Sequence, residues 1–350
     1  FLKLDPTKRT LVGFNNILSA LRRAGSLASS MLRIYREMQA HGPPPNATTY
    51  VVLIDALCTR DMELHTNPSD RTVLPEGSED DFLVAALTLA QAAHAMHLSL
   101  PSTAAYNMLL QCCAMRGKTR EAVEVLALLE ENVLMTKDAD SFRLLIQVFA
   151  HDTELAREDE TETQQQSRRI KACIEVFETF ERVASALAII QPGTEAFSKP
   201  RCQRVWATML DAHFTLGDAA GAVSLFERLI AAQPYGMSTP PVDEQIISTM
   251  VLGFVRAGDI RSAVEWLHHL QDSELPQPSV QALEGVLAAV MQQPPTEAAH
   301  YLNPVGEALL ARPVLLLPIA AKCLLHLATV LEKRKVWKQL SDDEIKPCLD

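Results

Sequence analysis

The sequence has few aromatic residues and few glycines for its length. Of 350 residues, 5% are aromatic and 13 are glycine, whereas 48% are hydrophobic. β-Sandwiches and barrels depend on aromatic and β-branched residues, so this composition argues against an all-β fold. The low glycine content excludes a collagen-like chain, and the high apolar content excludes a wholly disordered one. No uninterrupted apolar run reaches about 18 residues, so we expect no membrane-spanning helix.

The sequence also lacks the spacings that mark metal sites and catalytic centres. None of its seven cysteines forms a Cys-x-x-Cys pair, and the adjacent Cys112 and Cys113 would point in different directions from one helix. The pattern predicts free thiols in a reducing compartment. Glycine-rich phosphate loops and the common hydrolase and metalloprotease motifs are missing too. We therefore expect a protein that is not an enzyme, with no catalytic residues, no metal and no cofactor.

Positive charge is in deficit. There are 32 lysines and arginines against 43 acids, which gives a net charge of −11. Two acidic stretches, 61–81 and 152–166, contain the whole of this excess, so the charges of the remaining chain balance. A surface that binds polyanions usually shows a basic excess. The composition therefore counts against a strong, non-specific nucleic-acid binder.

A helix-turn-helix pattern recurs along the chain. In three places a glycine is followed five residues later by Ala-Val, and then by bulky residues spaced as on one face of an amphipathic helix. These glycines are Gly117, Gly217 and Gly258. About eleven residues before each glycine, an aromatic or apolar residue opens an earlier helix. These openings are Tyr106, Trp206 and Ile247. The spacing indicates a repeating unit of about 35 residues.

The openings of these units resemble a known repeat family. Residues 14–25 (FNNILSALRRAG) and 49–58 (TYVVLIDALC) are similar to the first helix of pentatricopeptide repeats, which runs T-Y-N-x-L-I-x-x-L-C-x-x-G. Residues 103–137 resemble the repeat across both helices. The tetratricopeptide repeat is the rival, but it requires a small alanine where this chain has large residues such as Leu129 and Phe180, and its W-x2-L-G opening is missing.

The resemblance implies an all-α fold, a right-handed superhelical solenoid of helix-turn-helix repeats with a C-terminal helical cap. The predicted units are 11–46, 47–102, 103–138, 139–202, 203–243 and 244–279, followed by 280–350 as a partial seventh repeat and the cap. The second unit carries the acidic insertion 61–81, and the fourth carries 152–166. Each insertion is interpreted as a solvent-exposed loop at a hairpin tip or as a docking loop for a basic partner.

In the resembled family, single-stranded RNA lies along the first helices, one base per repeat. Each base is read by the residue after the helix-opening aromatic and by the last residue of the repeat. The candidates carried over are Asn15 with Asn46, Asn107 with Asp138, Ser248 with Ser279, and Asp243 opposite Ala207. The first two pairs imply pyrimidines, although such an asparagine can equally cap a helix. The phosphate-contact candidates are Arg23, Arg116, Arg143 and Arg256.

The resemblance implies a non-catalytic RNA-binding adaptor in the mitochondrial matrix, acting in transcript stability, processing or translation. Its ligand would be a mitochondrial transcript or ribosomal RNA. The alternative is a protein-protein interaction scaffold, such as a subunit of the mitochondrial ribosome or of another large assembly, that has partly lost RNA readout. An accessory domain of a longer enzyme is a third option. The sequence begins at Phe1 rather than Met, so we expect any targeting sequence to precede it.

Overall fold

The fold is built from helices. The computed structural model describes residues 9–24, 28–66, 82–132, 135–152, 160–190, 194–231, 242–271, 273, 275–294, 297–298, 300–301 and 305. Within these ranges every regular element is a helix, so the predicted all-α class is confirmed. None of the described helices has both the length and the hydropathy needed to cross a bilayer. The predicted C-terminal cap beyond residue 305 lies outside the described part of the chain.

By its contacts the chain divides into two compact units, Phe1–Phe180 and Glu181–Asp350. The helices that begin in the first unit are α1 (Leu11–Arg23), α2 (Ala28–His41), α3 (Ala47–Thr66), α4 (Phe82–Ala95), α5 (Thr103–Arg116), α6 (Thr119–Glu130), α7 (Ala139–Ala150) and α8 (Glu162–Ile190). The first helices α1, α3, α5 and α7 contact one another in that order, and the second helices α2, α4 and α6 pack against them. Two layers of helices result, with the apolar core between them.

The second unit repeats this arrangement. After a short 3₁₀ turn at Glu195–Phe197, its helices are α9 (Lys199–Thr215), α10 (Ala219–Ala231), α11 (Glu244–Arg256), α12 (Ile260–Gln271) and α13 (Val280–Met291). Helix α11 packs between α9 and α13, while α10 and α12 lie against this row. The pairs α5–α6, α9–α10 and α11–α12 are hairpins that turn at the glycines of the pattern, as the glycine spacing predicts.

The residues that open the first helices are core residues. An aromatic or large aliphatic side chain at this position points between the two helix layers and is at most 3% exposed. These residues are Phe14, Tyr50, Tyr106, Phe142, Trp206 and Ile247. The glycines of the pattern serve the turns: Gly117, Gly217 and Gly258 have φ angles of +62°, +77° and +78°. This left-handed conformation, which glycine adopts without a steric penalty, ends the first helix and lets the second one turn back.

Parts of both predicted acidic insertions belong to helices. Residues 61–66 continue α3, and Asp61 is buried rather than part of a solvent-exposed loop. Asp152 is also buried, and residues 162–166 form the first turns of α8. The remaining parts of the predicted insertions, 67–81 and 153–159, lie outside the described residues. Where they are described, the ends of the insertions thus belong to the helical framework.

The cysteines within the described ranges are buried thiols without disulfides. They are Cys58, Cys112, Cys113, Cys173 and Cys202. Burial raises the pKa of Cys173 to about 12 and that of Cys202 to about 11. Since the thiolate is the reactive form, these side chains behave as small apolar core residues.

The last turn of α9 contains a buried histidine. His213 Nδ1 lies 2.9 Å from Asp218 Oδ2, and Asp218 Oδ1 accepts a hydrogen bond from the Gly221 amide. Burial lowers the pKa of His213; the bond to Asp218 opposes this shift, and the charge of Arg228 adds to it. The folded state therefore binds fewer protons at this site than the unfolded state, in which the histidine titrates normally.

We predict that this histidine makes the second unit less stable in weak acid. Its contribution to the free energy of unfolding is fully present above the unfolded pKa, about 6.5, and declines as the pH falls below it. Urea denaturation at about pH 7.5 and 5.5 should show a smaller loss on acidification for His213→Gln than for the wild type. An equal loss in both proteins would mean that His213 titrates normally in the fold.

Candidate functional site

Asn15 and Asn46 lie together at the start of α3. Asn15 Nδ2 donates a hydrogen bond to Asn46 Oδ1 at 3.1 Å, although 31 residues separate them. Asn46 Oδ1 also accepts the Thr49 amide at 3.0 Å, which caps α3, and the Thr49 hydroxyl donates to Asn15 Oδ1 at 2.7 Å. These bonds fix which end of each amide carries the oxygen. The two predicted base-reading residues thus form one rigid polar group.

Asn107 and Asp138 form the same group two first helices further along. Asn107 Nδ2 donates to Asp138 Oδ1 at 3.0 Å, again across 31 residues. Asp138 Oδ1 accepts the Ser141 amide at 2.8 Å, and the Ser141 hydroxyl donates to Asn107 Oδ1 at 2.8 Å. The Asp138 amide in turn donates to Ser141 Oγ, which completes a capping box at the start of α7. The residue at the end of one repeat is therefore the N-cap of the next.

Ser248 and Ser279 also meet, but their groups are used differently. The Ser279 amide donates to Ser248 Oγ at 2.8 Å, and the Ser248 hydroxyl donates to the Glu244 carbonyl at 2.6 Å. Ser279 Oγ accepts the Ala282 amide and caps α13. A hydroxyl has a single hydrogen, and that of Ser248 is already bonded to the Glu244 carbonyl, so Ser248 cannot donate to a base. This pair is joined by the fold without presenting the polar edge that the two asparagine pairs present.

The other reading positions do not form such pairs. Asp243 caps α11 by accepting the Ile246 amide at 2.9 Å, and Ala207 opposite it is buried and apolar. Val51 is apolar and half-buried. Arg143 donates to Asp140 at 3.4 Å and to Gln147 at 3.0 Å on its own helix. Among the described repeats, the polar reading groups are thus found in the hairpins that begin at α1 and α5.

Sequence comparison with known families matches three stretches of this helical framework. Residues 9–59 match the PPR (pentatricopeptide) repeat family, and residues 104–132 and 247–275 each match the PPR repeat itself. The first match spans α1 to α3, the second spans α5 and α6, and the third spans α11 and α12. The chain contains pentatricopeptide repeats. No curated protein matches it in sequence.

Solved pentatricopeptide repeat structures are similar to this chain. One is the pentatricopeptide repeat protein PPR10 from maize, 19% identical, matched over 89% of this chain and 41% of that one with a TM-score of 0.46. Another is PPR10 in complex with an 18-nt psaJ RNA element, 16% identical, matched over 86% and 40% with a TM-score of 0.39. The chain thus spans about two fifths of the length of these proteins.

The arginines singled out for phosphate contact bind groups of the protein itself. Arg116 at the end of α5 donates to Asp61 of α3 at 3.1 Å, and both side chains are largely buried. Arg256 at the end of α11 is paired with Asp211 of α9. Arg23 donates to the Ser19 carbonyl at 3.2 Å from an exposed position. Arg143 is held by Asp140 and Gln147, as described above.

Four residues that bond to the candidate site residues are not predicted by the repeat pattern. Thr49 and Ser141 complete the two polar groups, and their signal is a capping pattern: Asn or Asp followed three residues later by Thr or Ser. Asp61 and Asp211 are the acids that bind arginines of the adjacent first helix. Their partners are 55 and 45 residues away in sequence, so no local pattern identifies them.

Proposed function

We propose that the chain is a non-catalytic adaptor that binds single-stranded RNA and reads pyrimidines through the groups Asn15–Asn46 and Asn107–Asp138. The observation that carries this proposal is the pairing of side chains across consecutive repeats at 3.0–3.1 Å, with their orientation fixed by helix caps. A preorganised polar edge loses little conformational entropy when it binds a base. Sequence-specific RNA recognition targets the base edges of unpaired strands.

The two groups differ in what they offer to a base. The Asn46 oxygen is occupied by the Asn15 amide and the Thr49 amide, so the side-chain NH₂ of Asn46 remains as a donor. That donor complements the N3 and O2 acceptors of cytosine. Asp138 is a carboxylate, which only accepts hydrogen bonds, and it complements the N3–H donor of uracil. We therefore infer a preference for cytosine at the first group and for uracil at the second.

Replacing Asn107 by alanine tests this reading role. We expect Asn107→Ala to weaken binding of a labelled single-stranded pyrimidine RNA by about 1–3 kcal/mol, because one hydrogen-bonded base edge is lost. Fluorescence anisotropy against RNAs that differ at one base would measure the loss. The cap of α7 should persist, since Ser141 can still bond to Asp138.

Val51→Ala is the matched control, because it occupies the equivalent position one repeat earlier but cannot bond to a base edge. Its affinity should stay within experimental error of the wild type. Equal affinities for Asn107→Ala and the wild type would remove the reading role of that repeat. No measurable binding of any single-stranded RNA by the wild type would overturn the function as a whole.

The proposal extends to the compartment and the process. Family membership supports an organellar role in RNA stability, processing or translation, and we propose the mitochondrial matrix as the site of action. Imaging of the full-length protein with a C-terminal fluorescent tag should show a signal that coincides with mitochondria. A signal confined to another compartment would remove this extension and leave the RNA-binding proposal standing.

A second candidate function, a protein-interaction scaffold in a large assembly such as a mitochondrial ribosome, is favoured by the repeats without a reading group. Val51 and Ala207 cannot bond to a base edge, and Arg143 is held by neighbours on its own helix. A scaffold should co-purify with a protein in stoichiometric amount and retain no RNA after nuclease-free isolation. In-cell crosslinking that identifies both RNA and protein partners would separate the two functions.

A further inference from the structure

Two ion pairs join neighbouring first helices on the side that carries the reading positions. Asp55 of α3 binds Arg22 of α1 in the first unit, and Asp211 of α9 binds Arg256 of α11 in the second. The two aspartates hold equivalent places, since each follows a reading position, Val51 or Ala207, by four residues. Residues four apart lie on the same face of a helix. Each aspartate therefore shares a face with the reading position of its own repeat.

The arginines lie on that face as well. Arg22 follows Asn15 by seven residues and Arg256 follows Ser248 by eight, which are spacings of a single helical stripe. Seven residues correspond to about 10 Å along the helix axis. Arg22 is thus near enough for the backbone of a strand whose base lies at Asn15. The arginine side chains are 48% and 51% exposed, so a phosphate could approach them from solvent.

A phosphate that approaches such an arginine meets a neutral ion pair instead of a free positive charge. The carboxylate is the less exposed partner in both pairs, at 14% for Asp55 and 36% for Asp211. The aspartate therefore stays beside the guanidinium when a ligand covers the exposed side of the arginine. A phosphate that binds the remaining N–H groups of the guanidinium would lie close to the aspartate and be repelled by it. Contact without this repulsion would require the arginine to leave the aspartate.

We propose that Asp55 and Asp211 mask Arg22 and Arg256, so that these two arginines add little phosphate contact and the protein holds RNA mainly by base edges. This inference rests on the proposed RNA-binding function and adds a consequence that can be measured separately. The affinity of the wild type should fall only slowly with salt, because few counterions are released from the RNA. The −11 net charge of the chain acts in the same direction.

The experiment compares the wild type with the double variant Asp55→Asn/Asp211→Asn, binding a labelled single-stranded pyrimidine RNA over a range of salt concentrations. Each freed arginine that reaches a phosphate steepens the slope of log K against log salt by about 0.7 for a single strand. We expect the double variant to be steeper by about 1.4 and to bind more tightly at low salt. Partly exposed ion pairs add little to stability, so both proteins should fold.

Glu181→Gln/Glu265→Gln is the matched control. It also removes two acids that bind arginines, Arg228 of α10 and Arg261 of α12, but these lie on second helices. The control should keep the wild-type slope. If the wild type binds RNA and the Asp55→Asn/Asp211→Asn slope is unchanged, masking is wrong and the proposed function stands. If only the aspartate variant binds RNA, masking is supported and the proposed function of the wild type is wrong. If neither protein binds RNA, both the masking and the proposed function are wrong.

Discussion

Replacing Phe180 by alanine should lower the free energy of unfolding of the first unit by about 3–5 kcal/mol. The Phe180 side chain has no exposed surface, and its ring lies 5.8 Å from the ring of Phe142 and 5.8 Å from that of Phe177. The substitution loses the transfer free energy of the ring, leaves a cavity between α7 and α8, and removes two aromatic contacts. Urea denaturation followed by circular dichroism would measure the loss.

Glu175→Ala is the control for this prediction. Glu175 lies on the same helix on its exposed face, so its truncation should change the free energy of unfolding by less than about 0.5 kcal/mol. The slope of the transition with urea should be similar in both variants, which would show that the same surface unfolds. A loss below about 1 kcal/mol for Phe180→Ala would contradict the packing described for α7 and α8.

The contact between Phe142 and Phe180 was within reach of sequence analysis. Phe142 opens a first helix, and Phe180 occupies the bulky position of a second helix in the same repeat. The helical period predicts which face each residue occupies, and the repeat predicts that the two faces meet. The pairs Asn15 with Asn46 and Asn107 with Asp138 follow instead from the resemblance to the pentatricopeptide repeat, whose fixed spacing repeats a fixed geometry. Periodic features are therefore predictable even over long separations.

Features that depend on the side chains of a particular pair were not predictable in this way. Arg116 was interpreted as a phosphate contact, and Asp61 as the first residue of an acidic loop. In the structure α3 extends to Thr66, and this added length places Asp61 beside Arg116 of α5. No repeat position encodes such a pair, since it depends on where one helix happens to end. Charged residues near an irregular boundary are consequently the least predictable part of the site.

Gly253 illustrates a second kind of unpredictable feature, a close approach between helices. Gly253 lies within α11, and a Cβ added there would be 2.1 Å from Cδ2 of the Phe214 ring of α9. The Phe214 ring is buried, and it packs edge-on against Phe254 at 5.0 Å. It therefore has little room to move away. From sequence alone, a glycine inside a helix is only a mildly unfavourable residue for that helix.

Gly253→Ala should accordingly destabilise the second unit by about 1–3 kcal/mol through overpacking. Helix propensity predicts the opposite sign, since alanine is favoured over glycine by about 1 kcal/mol within a helix. The sign of the change in urea denaturation therefore decides between the two effects. Gly285→Ala in α13 is the matched control, because its added Cβ would meet only the flexible end of Leu252 at 2.7 Å.

A double-mutant cycle with Phe214→Leu identifies the cause of the effect. If the Phe214 ring opposes the new methyl group, Gly253→Ala should cost less in the Phe214→Leu background than in the wild type, with a coupling of about 0.5–3 kcal/mol. A cost that is the same in both backgrounds would mean that the ring is not the obstacle. In that case α9 and α11 would pack less closely than described, and the first-helix row that places Asp211 beside Arg256 would need another explanation.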